Sequence, residues 1–103
     1  MESPQRGEVW LVDLGLAAKV RPALVLSLPP GERERSLVTL IPHTTSLRGS
    51  NYEVPLRVPF LRPGAFDTQG IVTVPMVGLV RPLGTLSSDL LKTVEKTVAS
   101  GSD

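Results

Sequence analysis

The chain has 103 residues, enough for one hydrophobic core, and we expect a single domain over residues 1–103. Because it contains no cysteine, disulfide scaffolds and zinc sites built on thiolates are excluded. The net charge of +1 is too small to attract nucleic acid through bulk charge, so any nucleic-acid site must be a local arrangement of residues. No apolar run is long enough to span a bilayer and the N-terminus has no signal-peptide pattern, which predicts a cytoplasmic protein without a membrane partner.

Most of the chain is predicted to form β-strands. Residues 8–14 mix apolar and acidic positions after the turn residue Gly7 and are interpreted as the first strand. Residues 22–28 form a near-continuous apolar run, typical of a strand that is buried on both faces. The third strand is predicted at residues 37–41, before a polar turn over residues 43–51.

Three more strands and one helix are predicted in the second half. Residues 52–58 place apolar side chains at every second position, and Pro55 favours an edge or a bulge for this strand. Two short strands follow at residues 70–74 and 78–83. Apolar residues at helical spacing predict an amphipathic helix over residues 88–99. We therefore expect a mainly β fold, a small barrel covered by a C-terminal α-helix.

One arginine stands at the entrance of the second predicted strand. Arg21 precedes Pro22, which fixes its own backbone angle and favours an extended conformation for the arginine. A guanidinium keeps its proton in a protein, and its planar fork matches the geometry of phosphate. The segment therefore indicates either a cation for an anionic ligand or an arginine paired with a local carboxylate.

A polar cluster follows the third predicted strand. Thr44, Thr45 and Ser46 can donate hydrogen bonds to phosphate oxygens, and Arg48 supplies a second cation. The same residue types are common in ordinary turns, which is the structural alternative. His43 is the only histidine, and it is interpreted either as a helper in the site or as a structural side chain.

The remaining reactive side chains limit the chemistry. The ten carboxylates are spread over separate predicted elements, so neither a bound metal nor another cofactor is expected. A serine hydrolase is disfavoured because no nucleophile-elbow motif occurs. An RNA 2′-hydroxyl lies beside the phosphate that it can attack, so RNA cleavage needs mainly positioning and charge stabilisation. Arg21 and a nearby hydroxyl suit that task, although neither is a good general base near neutral pH.

Several segments together resemble the MazF/PemK toxin family. Residues 6–14 (RGEVWLVDL) and 20–27 (VRPALVLS) resemble the opening of that family. Residues 41–54 resemble its Pro-x-Thr-Thr/Ser loop and the Phe/Tyr-Glu-Val strand that follows, and the predicted C-terminal helix fits as well. The resemblance covers nearly the whole chain.

The resemblance implies an SH3-like antiparallel barrel of the plasmid-maintenance-toxin type, usually a homodimer. It also implies a metal-independent endoribonuclease that cuts single-stranded RNA at short motifs, leaves 2′,3′-cyclic phosphate and 5′-hydroxyl ends, and is neutralised by a small antitoxin from the same operon. The family's catalytic arginine falls on Arg21 and its catalytic threonine on Thr44, with Thr45 as the neighbouring alternative. Substrate contacts are expected from Lys19, His43, Thr45, Ser46 and Arg48.

Two other functions stay open. The connection before Arg21 is shorter than the family's usual loop, which favours a non-catalytic barrel that binds nucleic acid or protein. A gyrase poison like the CcdB family shares the barrel, but it is not expected to keep both the Arg-Pro strand and the threonine loop. Trp10, the only tryptophan, is interpreted as a core residue or as a stacking face for a base.

Overall fold

The computed structural model describes residues 3–15, 20–31, 33 and 35–101. Within these ranges the chain forms seven strands, two short 3₁₀ turns and one α-helix. The strands form one antiparallel sheet. The strands are β1 (Glu8–Asp13), β2 (Val20–Val25), β3 (Leu37–Thr44), β4 (Glu53–Pro55), β5 (Ala65–Asp67), β6 (Val72–Pro75) and β7 (Leu79–Thr85), and the helix is α1 (Ser88–Gly101). The 3₁₀ turns are Thr68–Gly70 and Met76–Gly78. A mainly antiparallel β fold with a C-terminal helix is thereby confirmed.

The sheet follows the order β4-β5-β3-β2-β1-β7, and its described ladder is an open path rather than a closed ring. β3 is its central strand. On one side β3 pairs with β2, and on the other side it changes partner, from β6 along Leu37–Leu40 to β5 at His43 and Thr44. The change of partner occurs at Pro42. Because proline has no backbone N–H, no donor is left without an acceptor at this position.

The core consists of two clusters on opposite faces of the sheet. Because successive side chains of a strand alternate between faces, β1, β2 and β3 each contribute buried residues to both clusters. The first contains Val9, Leu24, Ile41, Val54, Phe66, Leu86 and Val94, and the second contains Trp10, Val12, Ala23, Val25, Val38, Leu40 and Leu79. Trp10 is buried in the second cluster, which confirms its interpretation as a core residue.

The first three predicted strands all form. β1 ends one residue earlier than predicted, and the bounds of β2 and β3 differ by more. β2 begins two residues before the predicted start, because Val20 and Arg21 continue the ladder with β1. It ends at Val25 rather than at residue 28. Its residues 23–25 are fully buried, as the apolar run predicts. β3 extends to Thr44, so the predicted start of the turn at residue 43 is wrong. His43 and Thr44 pair with β5, a tertiary contact that overrides their local turn propensity.

The strands of the second half differ more from the predicted ones. β4 covers only Glu53–Pro55 and pairs with β5 alone, so the predicted strand over residues 52–58 is too long, whereas its edge position is confirmed. β5 was not predicted, since three residues give no measurable periodicity. β6 begins at Val72 rather than at residue 70, because Thr68–Gly70 form a 3₁₀ turn capped by the preceding carboxylate. The last predicted strand corresponds to β7, which begins one residue later and ends two residues later than predicted.

The helix packs its apolar stripe against the first core cluster. Ser87 caps its start by accepting a hydrogen bond from the N–H of Leu90 at 3.3 Å, and Asp89 places a negative charge in the first turn, where the helix dipole favours it. Val94 is fully buried, and the helix runs two residues beyond the predicted end. Arg6 forms an ion pair with Glu95 and so ties the N-terminal segment to the helix. No helix of the described residues has the length and hydropathy needed to cross a membrane.

A loop over residues 56–63 lies against the sheet at Gly84. A Cβ added to Gly84 would meet the ring of Phe60 at 2.5 Å, so only glycine permits this approach. Phe60 itself is half-buried and packs against the first core cluster. The close approach therefore fixes where this loop lies.

We expect Gly84→Ala to lower the free energy of unfolding by about 1–3 kcal/mol, because the added methyl group displaces the Phe60 ring. Urea denaturation measures this change. In a Phe60→Ala background, where the ring is absent, the same substitution should cost little. An equal cost in both backgrounds would contradict the contact as its cause.

Candidate active site

Two neighbouring strands bring Arg21 and Thr44 together. In the β2–β3 ladder Ala23 lies opposite Pro42, and continuing this antiparallel register by two residues brings Arg21 opposite Thr44. Arg21 is exposed and Thr44 is half-buried. Both side chains line the same two cavities. A cation and a hydroxyl group therefore face one accessible space.

The two cavities have different linings. The first, called here the Asp67 cavity, has a volume of about 300 Å³ and is lined by Leu14, Arg21, Pro42, Thr44, Ser46, Arg48, Asp67, Gly70 and Val72. The second, the His43 cavity, has a volume of about 530 Å³ and is lined by Leu11, Val20, Arg21, Pro22, His43, Thr44, Thr45, Ser46, Phe60, Leu61, Arg62 and Leu83. Arg21, Thr44 and Ser46 belong to both, so they mark the junction of the two.

Arg21 is a charged side chain exposed at the site. Among the described residues, no carboxylate forms an ion pair with its guanidinium. The alternative of an arginine paired with a local carboxylate is thus not realised in this part of the chain. Because the guanidinium is exposed at the junction of two cavities, it is available to an anionic ligand.

The hydroxyl of Thr44 is held by the backbone two residues further on. Its Oγ1 accepts a hydrogen bond from the N–H of Ser46 at 3.0 Å, and it lies 3.4 Å from the carbonyl oxygen of the same residue. The first contact fixes the oxygen, while the second is too long to bind the proton strongly. The hydroxyl can therefore donate to an incoming acceptor without losing its position.

The loop after Thr44 is organised by a carboxylate of β4. Glu53 accepts hydrogen bonds from the N–H of Arg48 at 3.0 and 3.1 Å and from the N–H of Ser50 at 3.0 Å. The hydrogen bond from the Arg48 backbone lowers the pKa of Glu53 most, those from Ser50 and Gly49 and the charge of Arg48 add to it, and burial opposes them. Gly49 has a φ of 76°, a left-handed conformation that glycine adopts without strain. Glu53 thus positions Arg48 at the edge of the Asp67 cavity.

The guanidinium of Arg48 approaches a second carboxylate. Its Nη2 lies 3.6 Å from Oδ2 of Asp67, and the arginine side chain is largely exposed. An exposed pair at this separation contributes little to stability and is readily exchanged for another anion. Asp67 also caps the Thr68–Gly70 turn by accepting a hydrogen bond from the N–H of Gln69 at 3.1 Å.

His43 lines the cavity named after it, but its side chain is almost entirely buried. Its side chain is 4% exposed, and its ring meets that of Phe66 edge to face, with 5.1 Å between centroids and 72° between planes. Burial lowers the pKa of His43, so the imidazole is neutral at neutral pH. Nε2 is buried, and it has no hydrogen-bond partner in the described part of the chain.

Most of the predicted site residues gather at these cavities. Arg21, Thr44 and Ser46 line both, Thr45 and His43 line the His43 cavity, and Arg48 lines the Asp67 cavity. Lys19 lies outside the described residues. The site was predicted from two segments, and the structure brings both to one place.

Other cavity residues were missed by sequence reasoning. Asp67 and Gly70 come from an unpredicted strand and turn, although the Asp-Thr-Gln-Gly pattern is a capping signal that could have been found. Phe60 and Leu61 come from an irregular loop with no periodicity. Gly64 allows β5 to approach β3, because a Cβ there would lie 2.2 Å from the carbonyl oxygen of Thr44 and 2.8 Å from Cε1 of His43.

Comparison with known proteins gives one family and several similar structures. The family model described as "PemK-like, MazF-like toxin of type II toxin-antitoxin system" matches residues 5–101. The Mycobacterium tuberculosis toxin MazF-mt6 is 26% identical, with a TM-score of 0.80 over 93% of this chain and 96% of that chain. A search of curated proteins gave no match.

Two further solved structures share the fold at lower identity. One is an endoribonuclease from a mycobacterial species in complex with its cognate antitoxin, with 23% identity and a TM-score of 0.77 over 97% of this chain and 93% of that chain. The other belongs to a MazE–MazF complex from Deinococcus radiodurans, with 22% identity and a TM-score of 0.80 over 97% and 95% of the two chains.

Removing the charge of Glu53 should loosen the loop. In Glu53→Gln the new amide N–H₂ faces the backbone N–H groups of Arg48 and Ser50, so we expect faster hydrogen exchange at both amides. Wild-type protein should show the same change as pH falls below 4.5, because the lowered pKa means that the ionised form makes these bonds. Asp89→Asn, in the first helical turn, should leave both exchange rates unchanged; unchanged rates in Glu53→Gln would contradict its positioning role.

The buried imidazole should make stability depend on pH in a defined window. Because burial holds the pKa of His43 in the folded state below its ordinary value of 6.5, only the unfolded chain takes up a proton just under that pH. The contribution of the neutral His43 to the free energy of unfolding is complete above pH 6.5. It is lost as pH falls from 6.5 to the folded-state pKa, before the carboxylates titrate. Thermal denaturation between pH 7.5 and 5.5 should show this slope in wild type and a smaller one in His43→Gln. Equal slopes would rule out His43 as the source.

Proposed function

This chain belongs to the family of PemK-like, MazF-like toxins of type II toxin–antitoxin systems, and from this we propose that it is an endoribonuclease that cleaves single-stranded RNA without a metal ion. One observation carries the proposal. Arg21, unpaired among the described residues, and the backbone-held hydroxyl of Thr44 line the same two cavities. That arrangement suits an attack in which the substrate supplies its own nucleophile.

The reaction begins with the RNA 2′-hydroxyl, whose oxygen attacks the adjacent phosphorus. A P–O2′ bond forms and the P–O5′ bond breaks, which leaves a 2′,3′-cyclic phosphate and a 5′-hydroxyl. The nucleophile loses its proton to solvent and the leaving oxygen gains one from solvent. No atom of the protein enters the products, so its contribution is positioning and electrostatic stabilisation.

Arg21 is assigned to the charge that develops on the phosphate. Its planar fork can donate two hydrogen bonds to non-bridging oxygens, and its charge is not offset by a carboxylate of the described chain. Thr44 donates a further hydrogen bond from a fixed oxygen. Both groups form stronger hydrogen bonds as negative charge accumulates, which lowers the barrier rather than merely tightening substrate binding.

The neighbouring polar groups are assigned to the flanking strand. Arg48 exchanges its exposed contact with Asp67 for a phosphate, while the exposed hydroxyls of Thr45 and Ser46 donate to phosphate or sugar oxygens. Lys19 and His43 complete the proposed substrate-binding set. These contacts are local, in keeping with a net charge of only +1.

A small antitoxin and a second copy of the chain are the proposed protein partners, in the cytoplasm. The mycobacterial endoribonuclease and the Deinococcus radiodurans MazF mentioned above were each solved in complex with an antitoxin. This chain also exposes apolar side chains near β6 and β7, with Val77 93% exposed and Ile71 and Val80 about half exposed. Apolar side chains exposed to this extent are candidates for burial against a protein partner.

We expect purified protein to cleave mixed-sequence RNA in the presence of a chelator and to leave cyclic-phosphate ends. Arg21→Ala should reduce the cleavage rate roughly 10²–10³-fold, since it removes the main charge stabilisation. Thr44→Val should reduce it about tenfold or more, and Thr44→Ser should retain most activity. End mapping and single-turnover rates measure these effects.

Arg35→Ala is the matched control, because it removes an exposed arginine that precedes β3, at the opposite end of that strand from Thr44, and that lines neither cavity. Its rate should stay within about twofold of wild type. RNA that remains intact at high protein concentration would contradict the nuclease and favour a binding module. Cleavage that stops on adding a chelator would contradict the metal-independent mechanism.

A further inference from the structure

The loop over residues 56–63 carries two arginines that have no carboxylate partner in the described part of the chain. Arg57 and Arg62 are exposed, and neither forms an ion pair or a side-chain hydrogen bond with a described residue. Residues 54–66 contain no aspartate or glutamate, so the segment has no acidic side chain of its own to neutralise them. Both arginines line one cavity of about 270 Å³, and an anion bound there would offset their mutual repulsion.

This cavity, called here the Arg57 cavity, adjoins the candidate active site. It is lined by Arg57, Val58, Pro59, Leu61, Arg62 and Pro63. Leu61 and Arg62 also line the His43 cavity, which in turn shares Arg21 with the Asp67 cavity. The three cavities therefore form a connected series, and the arginines that follow one another along it are Arg48, Arg21, Arg62 and Arg57.

The loop presents its arginines from a fixed backbone. Its apolar side chains pack against the first core cluster, and they are Leu56, Val58, Phe60 and Leu61. The N–H of Leu61 donates a hydrogen bond to the carbonyl oxygen of Val58 at 3.2 Å, and Pro59 and Pro63 fix their own φ angles. A ligand therefore orders mainly the two arginine side chains, which keeps the entropy cost of binding low.

A single-stranded nucleic acid fits this series of cavities better than a compact anion does. Its backbone carries one negative charge per nucleotide, so successive phosphates can meet successive guanidinium groups. Between its two arginines the Arg57 cavity also has apolar walls, against which a ribose or the face of a base can pack. The series passes through the junction of Arg21 and Thr44, where the proposed reaction takes place, and this favours RNA over an acidic peptide as the occupant.

We propose that the Arg57 cavity binds the RNA backbone at a distance from the cleaved linkage, with Arg57 and Arg62 donating hydrogen bonds to phosphate oxygens. This inference rests on the proposed function, and it extends the substrate path from the loop after β3 to the loop before β5. Phosphate contacts position a strand but carry no sequence information. The two arginines therefore raise the affinity for long RNA and leave the choice of cleaved sequence unchanged.

Binding of RNA that cannot be cleaved tests this path. Tag-free, ¹⁵N-labelled protein is titrated with mixed-sequence 2′-O-methyl oligonucleotides of twelve and of three nucleotides. Affinity is measured at the amide resonances of Thr44 and Ser46, so that only strands bound at the candidate active site are counted. Arg57→Ala should weaken binding of the long RNA roughly three- to tenfold and binding of the short RNA less than about twofold. Arg62→Ala should weaken binding of the long RNA to a similar extent.

Salt dependence identifies the contact as one to phosphate. Loss of one phosphate contact lowers the slope of log affinity against log salt by about 0.7 for a single strand, and we expect that decrease in Arg57→Ala. Arg57→Lys keeps the charge and should keep the slope. Arg35→Ala removes an exposed arginine that lines none of the three cavities, so it should leave affinity and slope as in wild type.

Three results of the titrations would overturn the proposal. They are a wild-type protein that does not bind the long RNA, an Arg57→Ala variant that loses affinity equally for both lengths, and an Arg57→Ala variant that behaves like Arg35→Ala. A changed cleavage-sequence profile in Arg57→Ala would contradict the assignment to phosphate. Weaker binding of a polyglutamate peptide together with unchanged RNA affinity would assign the arginines to an acidic protein partner instead.

The outcomes separate this inference from the nuclease itself, because the oligonucleotides cannot be cleaved through the 2′-oxygen. Cleavage of RNA by wild type, with unchanged binding of the long RNA in Arg57→Ala, overturns the backbone site and leaves the nuclease standing. RNA that stays intact, with a length-dependent loss of affinity in Arg57→Ala, overturns the nuclease and supports the backbone site.

Discussion

The ladder between β2 and β3 is the interaction on which the rest of this structure depends. It joins two strands whose central residues are buried on both faces, so their relative register is fixed by packing as well as by hydrogen bonds. A shift by one residue would move every apolar side chain to the wrong face. The same register brings Arg21 and Thr44 to the ends of the two strands, at the junction of the cavities. Core packing thereby determines the distance between two groups that are themselves not in the core.

Around this fixed pair, the polar groups are held by hydrogen bonds in which the backbone N–H is the donor. Ser46 fixes the hydroxyl of Thr44, and Glu53 fixes the loop that carries Arg48. Arg21 has no such partner among the described residues. The positive charge of Arg21 is therefore available to a ligand, whereas the carboxylate of Glu53 holds the loop in its conformation.

Much of this arrangement could be predicted from the sequence, because the signals are local. The Arg-Pro strand, the threonine cluster and the C-terminal helix each lie within one short segment, and the family resemblance gave their order. What escaped prediction depends on contacts between distant segments. β5 has three residues and exists only because it pairs with both β3 and β4. His43 looks like a turn residue in sequence, and it is buried because Phe66, 23 positions later, packs on its ring.

The change of partner along β3 has a mechanical consequence. Between β6 and β5, Pro42 has no ladder partner on that side among the described residues, and the Asp67 cavity lies against it. Since proline has no N–H to satisfy, the sheet can split there without losing a ladder hydrogen bond. The width of this crevice is consequently governed by the packing of side chains such as Val72 and Asp67 and not by the rigid spacing of paired strands. The sheet is therefore easier to deform at this position than along its continuously paired strands.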